Sequence, residues 1–131
     1  MARVLQILLV TALSGCVVAR APSSSAAIVG CYSKTDKTGY NTLHLRLNPD
    51  NSYVANLQGD IGSWGSASGN WGLDGDKITL TPVKENEQMT GFLRKLTVLR
   101  SMGQYQLLPT SGWDALSTTR CYESFGHANG R

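Results

Sequence analysis

The chain reads as an all-β protein, a small antiparallel meander barrel of about seven strands with a short C-terminal helix. Three observations predict this class. Leu43, Leu45 and Leu47 alternate with Thr42, His44 and Arg46, the period of two that turns one face of a strand inward. Short apolar runs are separated by turn signals such as Asn48-Pro49-Asp50-Asn51 and Asp74-Gly75. Glycine supplies 14 of 131 residues, above the usual ~7% and suited to a turn-rich β protein. A 41% hydrophobic content with 16% charged residues excludes intrinsic disorder. A net charge of +3 is too small to argue for nucleic acid as a partner.

The elements follow in order. Residues 1–16 read MARVLQILLVTALSGC. Arg3 and the apolar stretch from Val4 to Leu13 form the n-region and h-region of a secretory signal, shorter than the ~20 residues that cross a bilayer. Leu13-Ser14-Gly15-Cys16 then resembles the lipobox of bacterial lipoproteins, an aliphatic residue and two small ones ahead of the cysteine that receives lipid. The resemblance implies a signal peptide over 1–15 and acyl chains on Cys16. More than one chain anchors stably where a single one is marginal. Val17, rather than an aspartate, follows the cysteine, which implies sorting to the outer membrane, facing the periplasm. Ala19-Arg20-Ala21 offers a competing site for ordinary cleavage, but Pro22 directly after the cut and the apolar Val17-Val18 argue against it. Residues 16–26 are then the lipidated cysteine and a flexible tether, opened by Pro22 and three serines. Residues 27–125 form the barrel, and 126–131 are a frayed tail.

Within the barrel a first strand is expected over Ile28 to Tyr32. The leucine strand and a proline turn lead to Ser52–Gln58, which places Tyr53, Ala55 and Leu57 on one face. Residues 59–69, GDIGSWGSASG, are read as a mobile loop because glycine and serine dominate. Trp71 and Leu73 enter a two-residue hairpin at Asp74-Gly75, and Ile78 and Leu80 return inward. Phe92 to Arg100 fits a helical stripe or a strand; strand is chosen because Ser101-Met102-Gly103-Gln104 turns into Tyr105–Leu108. Pro109 ends that strand. Ser111 to Thr119 is expected as one short helix packing Trp113 and Leu116 onto the barrel end.

Cys31 stands at the start of the folded region and Cys121 near its end. In an exported chain an even pair outside any C-x-x-C spacing reads as a disulfide.

Leu43–Tyr53, and Gly69–Leu80 with its Trp71, Leu73, Gly75-Asp76 and Ile78, are similar to the N-terminal barrel of the copper-resistance, envelope-stress lipoproteins and to lipocalin-like bacterial domains generally. That family carries C-x-x-C near its first strand. Here Cys31 is followed by Tyr32, Ser33 and Lys34, so the residues that would sense a metal are missing. Ser66-Ala67-Ser68-Gly69 resembles the loop that membrane-bound lysozyme inhibitors insert into the lysozyme cleft.

Catalytic chemistry finds few anchors. His44 lies on the polar face of the leucine strand and His127 in the tail, neither with a local nucleophile and orienting carboxylate. Asp74 and Asp76 bracket a turn that explains them. No ligand spacing for zinc is present, and Asp60 lies in a glycine run without the lysine of a phosphate loop. No catalytic residue, metal or cofactor is expected. Trp64, alone among small and polar neighbours, is the first candidate binding residue, with Ser66, Ser68 and Trp71 beside it. Arg94, Lys95 and Arg100 form a modest basic patch that suits a solvated face or lipid headgroups. The expected protein is a monomeric, non-enzymatic envelope lipoprotein that binds a protein or a small apolar ligand or serves envelope structure. The alternative is an inhibitor or stress-signalling module docking a partner through residues 59–69.

Overall fold

Alternation along each strand sets which side chains meet inside the molecule, and the hairpins between strands set their order. The computed structural model describes residues 18–19, 21–110 and 112–121. Its strands are β1 (Val18–Ala19), β2 (Gly30–Thr35), β3 (Thr42–Leu47), β4 (Ser52–Gly59), β5 (Gly62–Asp74), β6 (Lys77–Glu85), β7 (Lys95–Ser101), β8 (Gln104–Pro109) and β9 (Leu116–Thr119). Two single 3-10 turns, Ser25–Ile28 and Glu87–Met89, complete the elements. From β2 to β9 each strand pairs antiparallel with the next, and β9 returns to pair with β2. The result is a closed, eight-stranded meander barrel, which removes the free edges an open sheet would leave.

The expected class therefore holds, with corrections. The strands of the closed barrel number eight rather than about seven. The helix expected from Ser111 to Thr119 is not formed: Leu116–Thr119 is β9, and only Leu116 of its four residues is buried. The eighth strand is needed to join β8 to β2, and the run Ser117-Thr118-Thr119 suits a strand better than a helix. Residues 59–69, expected as a mobile loop, are instead the end of β4, a tight turn at Asp60-Ile61 and the first half of β5. Phe92 to Arg100 resolves as a turn followed by β7, from Lys95. Two residues of the segment read as a tether, Val18–Ala19, form β1 and pair with Arg100 and Leu99 of β7. Cys16 and the tail 126–131 lie outside the described residues.

The turns behave as their residues require. Asn48-Pro49-Asp50-Asn51 closes with the Asn51 N–H donating to the Asn48 carbonyl at 3.1 Å, and Asn51 takes φ 64°, a left-handed conformation that asparagine tolerates. Gly75 takes φ 59° between the paired Asp74 and Lys77.

An eight-stranded barrel is just wide enough for side chains to fill it. Leu43, Leu45 and Leu47 of β3, Tyr53 and Leu57 of β4, Trp71 of β5 and Leu96 and Val98 of β7 are all buried in one cluster. Ile28 plugs one end, where the Tyr32 hydroxyl donates to its carbonyl at 2.7 Å. Met89 and Leu93 plug the other, from the segment between β6 and β7. The β6–β7 seam is short, and Arg94 forks onto Glu85 at 2.6 and 2.9 Å beside the point where the two strands part. A bond from the Arg94 guanidinium holds the Glu85 carboxyl below its ordinary range.

The Cys31–Cys121 disulfide is formed, with Cα atoms 5.3 Å apart and a sequence separation of 90. It lies at the closing seam, where Cys31 faces Thr119 in the β2–β9 register.

Candidate functional site

Alternation along β5 decides where the expected binding residues point. Gly65, Ala67 and Trp71 turn inward and are buried, while Ser66 is exposed and Ser68 half-buried. Trp71 is a core residue, 4% exposed, and its indole N–H donates to the Asn48 carbonyl at 3.0 Å. Trp64, Ser66 and Ser68 belong to the outer surface. The four residues singled out in the sequence are thus divided by the sheet itself: three face outward and Trp71 braces the β3–β4 turn from within.

Trp64 owes its place to a β-bulge. Leu57 pairs with Gly65 and Gln58 with Ser63, so Trp64 is the extra residue on β5. Its ring lies over Gly59, where a Cβ would come within 3.4 Å of the indole. Trp64 is 43% exposed, a half-covered aromatic rather than a free one. Asn86 pins the bulge in the manner of a strand. Its amide nitrogen donates to the Trp64 carbonyl at 3.1 Å, its side-chain oxygen accepts from the Ser66 N–H at 3.2 Å, and its own N–H donates to the Ser66 carbonyl at 3.0 Å. Nothing in the sequence around Asn86 signalled this role, because its partners lie about twenty residues away.

A second bulge sits opposite. Ser68 pairs with Lys84 and Gly69 with Pro82, leaving Val83 extra on β6. Between the two bulges the outer face of β4–β6 forms a groove of about 400 Å³ lined by Val54, Ser66, Ser68, Lys84 and Asn86. On the same outer face Asn56, opposite Ser66 in the β4–β5 register, carries a buried side-chain oxygen without a hydrogen-bond partner among the described residues.

The end of the barrel remote from the proline turn holds a cleft of about 430 Å³ between the β2–β3 and β8–β9 connections, lined by Lys34, Asp36, Lys37, Thr38, Trp113 and Asp114. Lys34 stands opposite the buried Leu43, on the inward register of β2. Trp113 packs on the barrel end as expected, edge-on to Phe92 with ring centres 6.0 Å apart. Asp36 accepts from the Thr38 hydroxyl at 2.5 Å and from the Asn41 amide at 2.8 Å, and these bonds lower its carboxyl pKa. Such a cleft offers amine donors, carboxylate acceptors and one flat apolar wall. The cleft is not legible in the sequence, because β2 and the β8–β9 connection are distant in the chain and meet only when the barrel closes.

His44 lies on the outer face, half-buried, with its Nε2 2.9 Å from the Gln58 side-chain oxygen. Burial lowers its pKa, and the Gln58 contact partly offsets this. Asp74 and Asp76 stand at the β5–β6 turn, as their turn chemistry predicts. Among the described residues no group of three or more His, Cys, Asp or Glu is placed to hold a metal ion, and no helix is long and apolar enough to cross a membrane.

Among the described residues the fold is a small, disulfide-closed, filled meander barrel with recesses on its outer face and at one end. No family model, no curated protein and no solved structure matches the chain.

Proposed function

We propose that this protein is an exported, lipid-anchored bacterial envelope protein that works by binding rather than by catalysis. The observation that carries the reading is the disulfide between Cys31 and Cys121, downstream of a short apolar leader ending in Leu13-Ser14-Gly15-Cys16. Disulfides persist in oxidising compartments such as the periplasm and are rare in the cytosol. The leader and the clasp are separate features of the chain, and both point to export. The interior is filled by side chains, so a ligand or partner is met on the surface. The finer likeness to lipocalin-like and copper-resistance envelope barrels belongs to the same proposal, supported by the meander order and by the turns at Asn48–Asn51 and Asp74–Lys77.

The alternative is docking of a partner protein through residues 59–69. It is favoured by one specific feature: the bulge that holds Trp64 half-exposed on the outer face, beside the groove at Ser66 and Ser68.

The test is processing in a bacterial host. Globomycin or Cys16→Ala should leave the precursor uncleaved, and the wild-type chain should carry acyl mass on Cys16 and fractionate with outer membranes. A wild-type chain recovered without acyl mass overturns the lipid anchor. For the alternative, Trp64→Ala should lose partners crosslinked in the periplasm; an unchanged set of crosslinked proteins rejects docking through this segment.

A further inference from the structure

The pairing of β1 fixes where the chain leaves the barrel toward its N-terminus. β1 runs antiparallel to β7, with Ala19 opposite Leu99 and Val18 opposite Arg100. Moving back along β1 therefore leads forward along β7, toward the hairpin where Ser101 pairs with Gln104. Two peptide links join Val18 to Cys16, so their Cα atoms lie within about 8 Å of each other. At the tip of that hairpin Met102 is completely exposed and takes φ 51°, followed by Gly103 at φ 80°. A left-handed tip tolerates glycine and asparagine most easily, yet it holds a long, flexible apolar side chain out into solvent. Arg100, on the same hairpin, lies with its guanidinium 5.5 Å from the centre of the Tyr105 ring, a basic group beside an aromatic of the kind found at headgroup level.

We propose that the occupant of this hairpin tip is the lipid surface itself: the barrel rests on the bilayer through the β7–β8 hairpin, with Met102 among the headgroups. The inference rests on the lipid-anchor reading of Cys16. The length of chain available sets this orientation: Cys16 lies two residues before β1, which leaves no room for the barrel to turn its other end to the membrane. The cleft at Lys34 and Trp113, the exposed Tyr40 and the Asp60-Ile61 turn belong to connections at the opposite end, and they face away from the bilayer. A binding partner would thus be met at that distal end, and Met102 is a membrane contact rather than a protein contact.

The experiment uses the mature chain acylated at Cys16 in the cell and reconstituted in phosphatidylcholine–phosphatidylglycerol vesicles. A Cys16→Ser chain, exported behind an ordinary cleavable signal and kept in buffer, is the comparison. Hydroxyl-radical footprinting reads Met102 and Tyr40 at the two ends, with the buried Met89 as internal reference. Met102 is expected to oxidise at least five-fold more slowly on vesicles, while Tyr40 changes by less than two-fold. Equal Met102 rates in an acylated, vesicle-bound chain overturn the orientation and leave the anchor standing. Absence of acyl mass on Cys16, read on the same samples, overturns the anchor and the orientation together.

Discussion

Opening the Cys31–Cys121 bridge tests how the barrel stays closed. β9 is the weakest staple of the ring. It has four residues and makes three register pairs with β2 and two with β8. The bridge joins Cys31, at the end of the β2–β9 register where it faces Thr119, to a residue just past β9, across 90 residues of chain. In the chain-entropy model a loop of that length restricts the unfolded state by about 4 to 5 kcal/mol, and removal of such bridges from small secreted domains typically costs about 2 to 5. Single domains of this size are stable by only about 5 to 15 kcal/mol. Reduction therefore removes a large share of the total, and the loss appears first at the seam. Urea unfolding with and without reductant, and on a Cys31→Ala/Cys121→Ala chain, reads the global loss. Hydrogen exchange reads the local one, with faster exchange expected at residues 116–119 and 31–33 than along β3–β5. Alanine is used because Cys31 is buried. A loss below about 1 kcal/mol, or exchange that rises evenly around the barrel, would falsify the view that the bridge holds the closing seam.

Three further outcomes follow from particular contacts. Gly69→Ala would place a Cβ 2.1 Å from the Thr81 carbonyl oxygen and 2.8 Å from Pro82 Cα, all backbone, so it should cost about 2 kcal/mol or more. Gly72→Ala meets nothing within 4 Å and should stay within about 0.5 kcal/mol; equal unfolding midpoints for the two variants would contradict the close approach at Gly69. Trp71→Phe removes the indole donor to Asn48 and leaves a small void, for a loss of about 2 to 3 kcal/mol, seen as a lower thermal midpoint, and a variant as stable as wild type would show that the brace contributes nothing. Burial, with the nearby Tyr105, pushes the Tyr32 pKa from 10.0 up to about 12. The folded state therefore holds the phenolic proton more tightly than the unfolded one, so this contribution is intact below pH 10 and is lost as pH rises from 10 to 12. Its full size is about 3 kcal/mol. Urea midpoints measured across that window should fall in wild type and fall less in Tyr32→Phe; parallel curves would assign the alkaline loss elsewhere.

Residues 59–69 show where reading along the chain stops. Gly62, Ser63, Gly65, Ser66, Ser68 and Gly69 have poor intrinsic strand preference, which is why local composition predicts a loop. The period of two was nevertheless present, with Gly65, Ala67, Gly69 and Trp71 on one phase and Ser66, Ser68 and Asn70 on the other. The inward phase is small because of what it meets. A Cβ at Gly65 would sit 3.1 Å from Leu57 and 3.2 Å from Met89, and Gly69 backs onto the β6 backbone. Small residues there are the result of crowding inside a narrow barrel, and local preference gives way to cross-strand pairing with Tyr53–Gly59. The C-terminal segment fails in the same way. Trp113 and Leu116 fit one side of a helix, but closure requires a strand at 116–119 to satisfy β2 and β8.

By itself the sequence determined the all-β class, the leucine face of β3, the turns at Asn48–Asn51, Asp74–Lys77 and Ser101–Gln104, and the cysteine pair. Those features are local, or follow from the placing of Cys31 and Cys121 at the two ends of the folded region. The tertiary structure alone decided that eight strands close the ring, that Trp71 belongs to the core while Trp64 rides a bulge pinned by Asn86, and that β1 ties the N-terminal segment to the β7 edge. Each of these depends on backbone groups far apart in sequence finding partners. A strand's own residues can state which side of it is apolar, but not which neighbour will satisfy its hydrogen bonds.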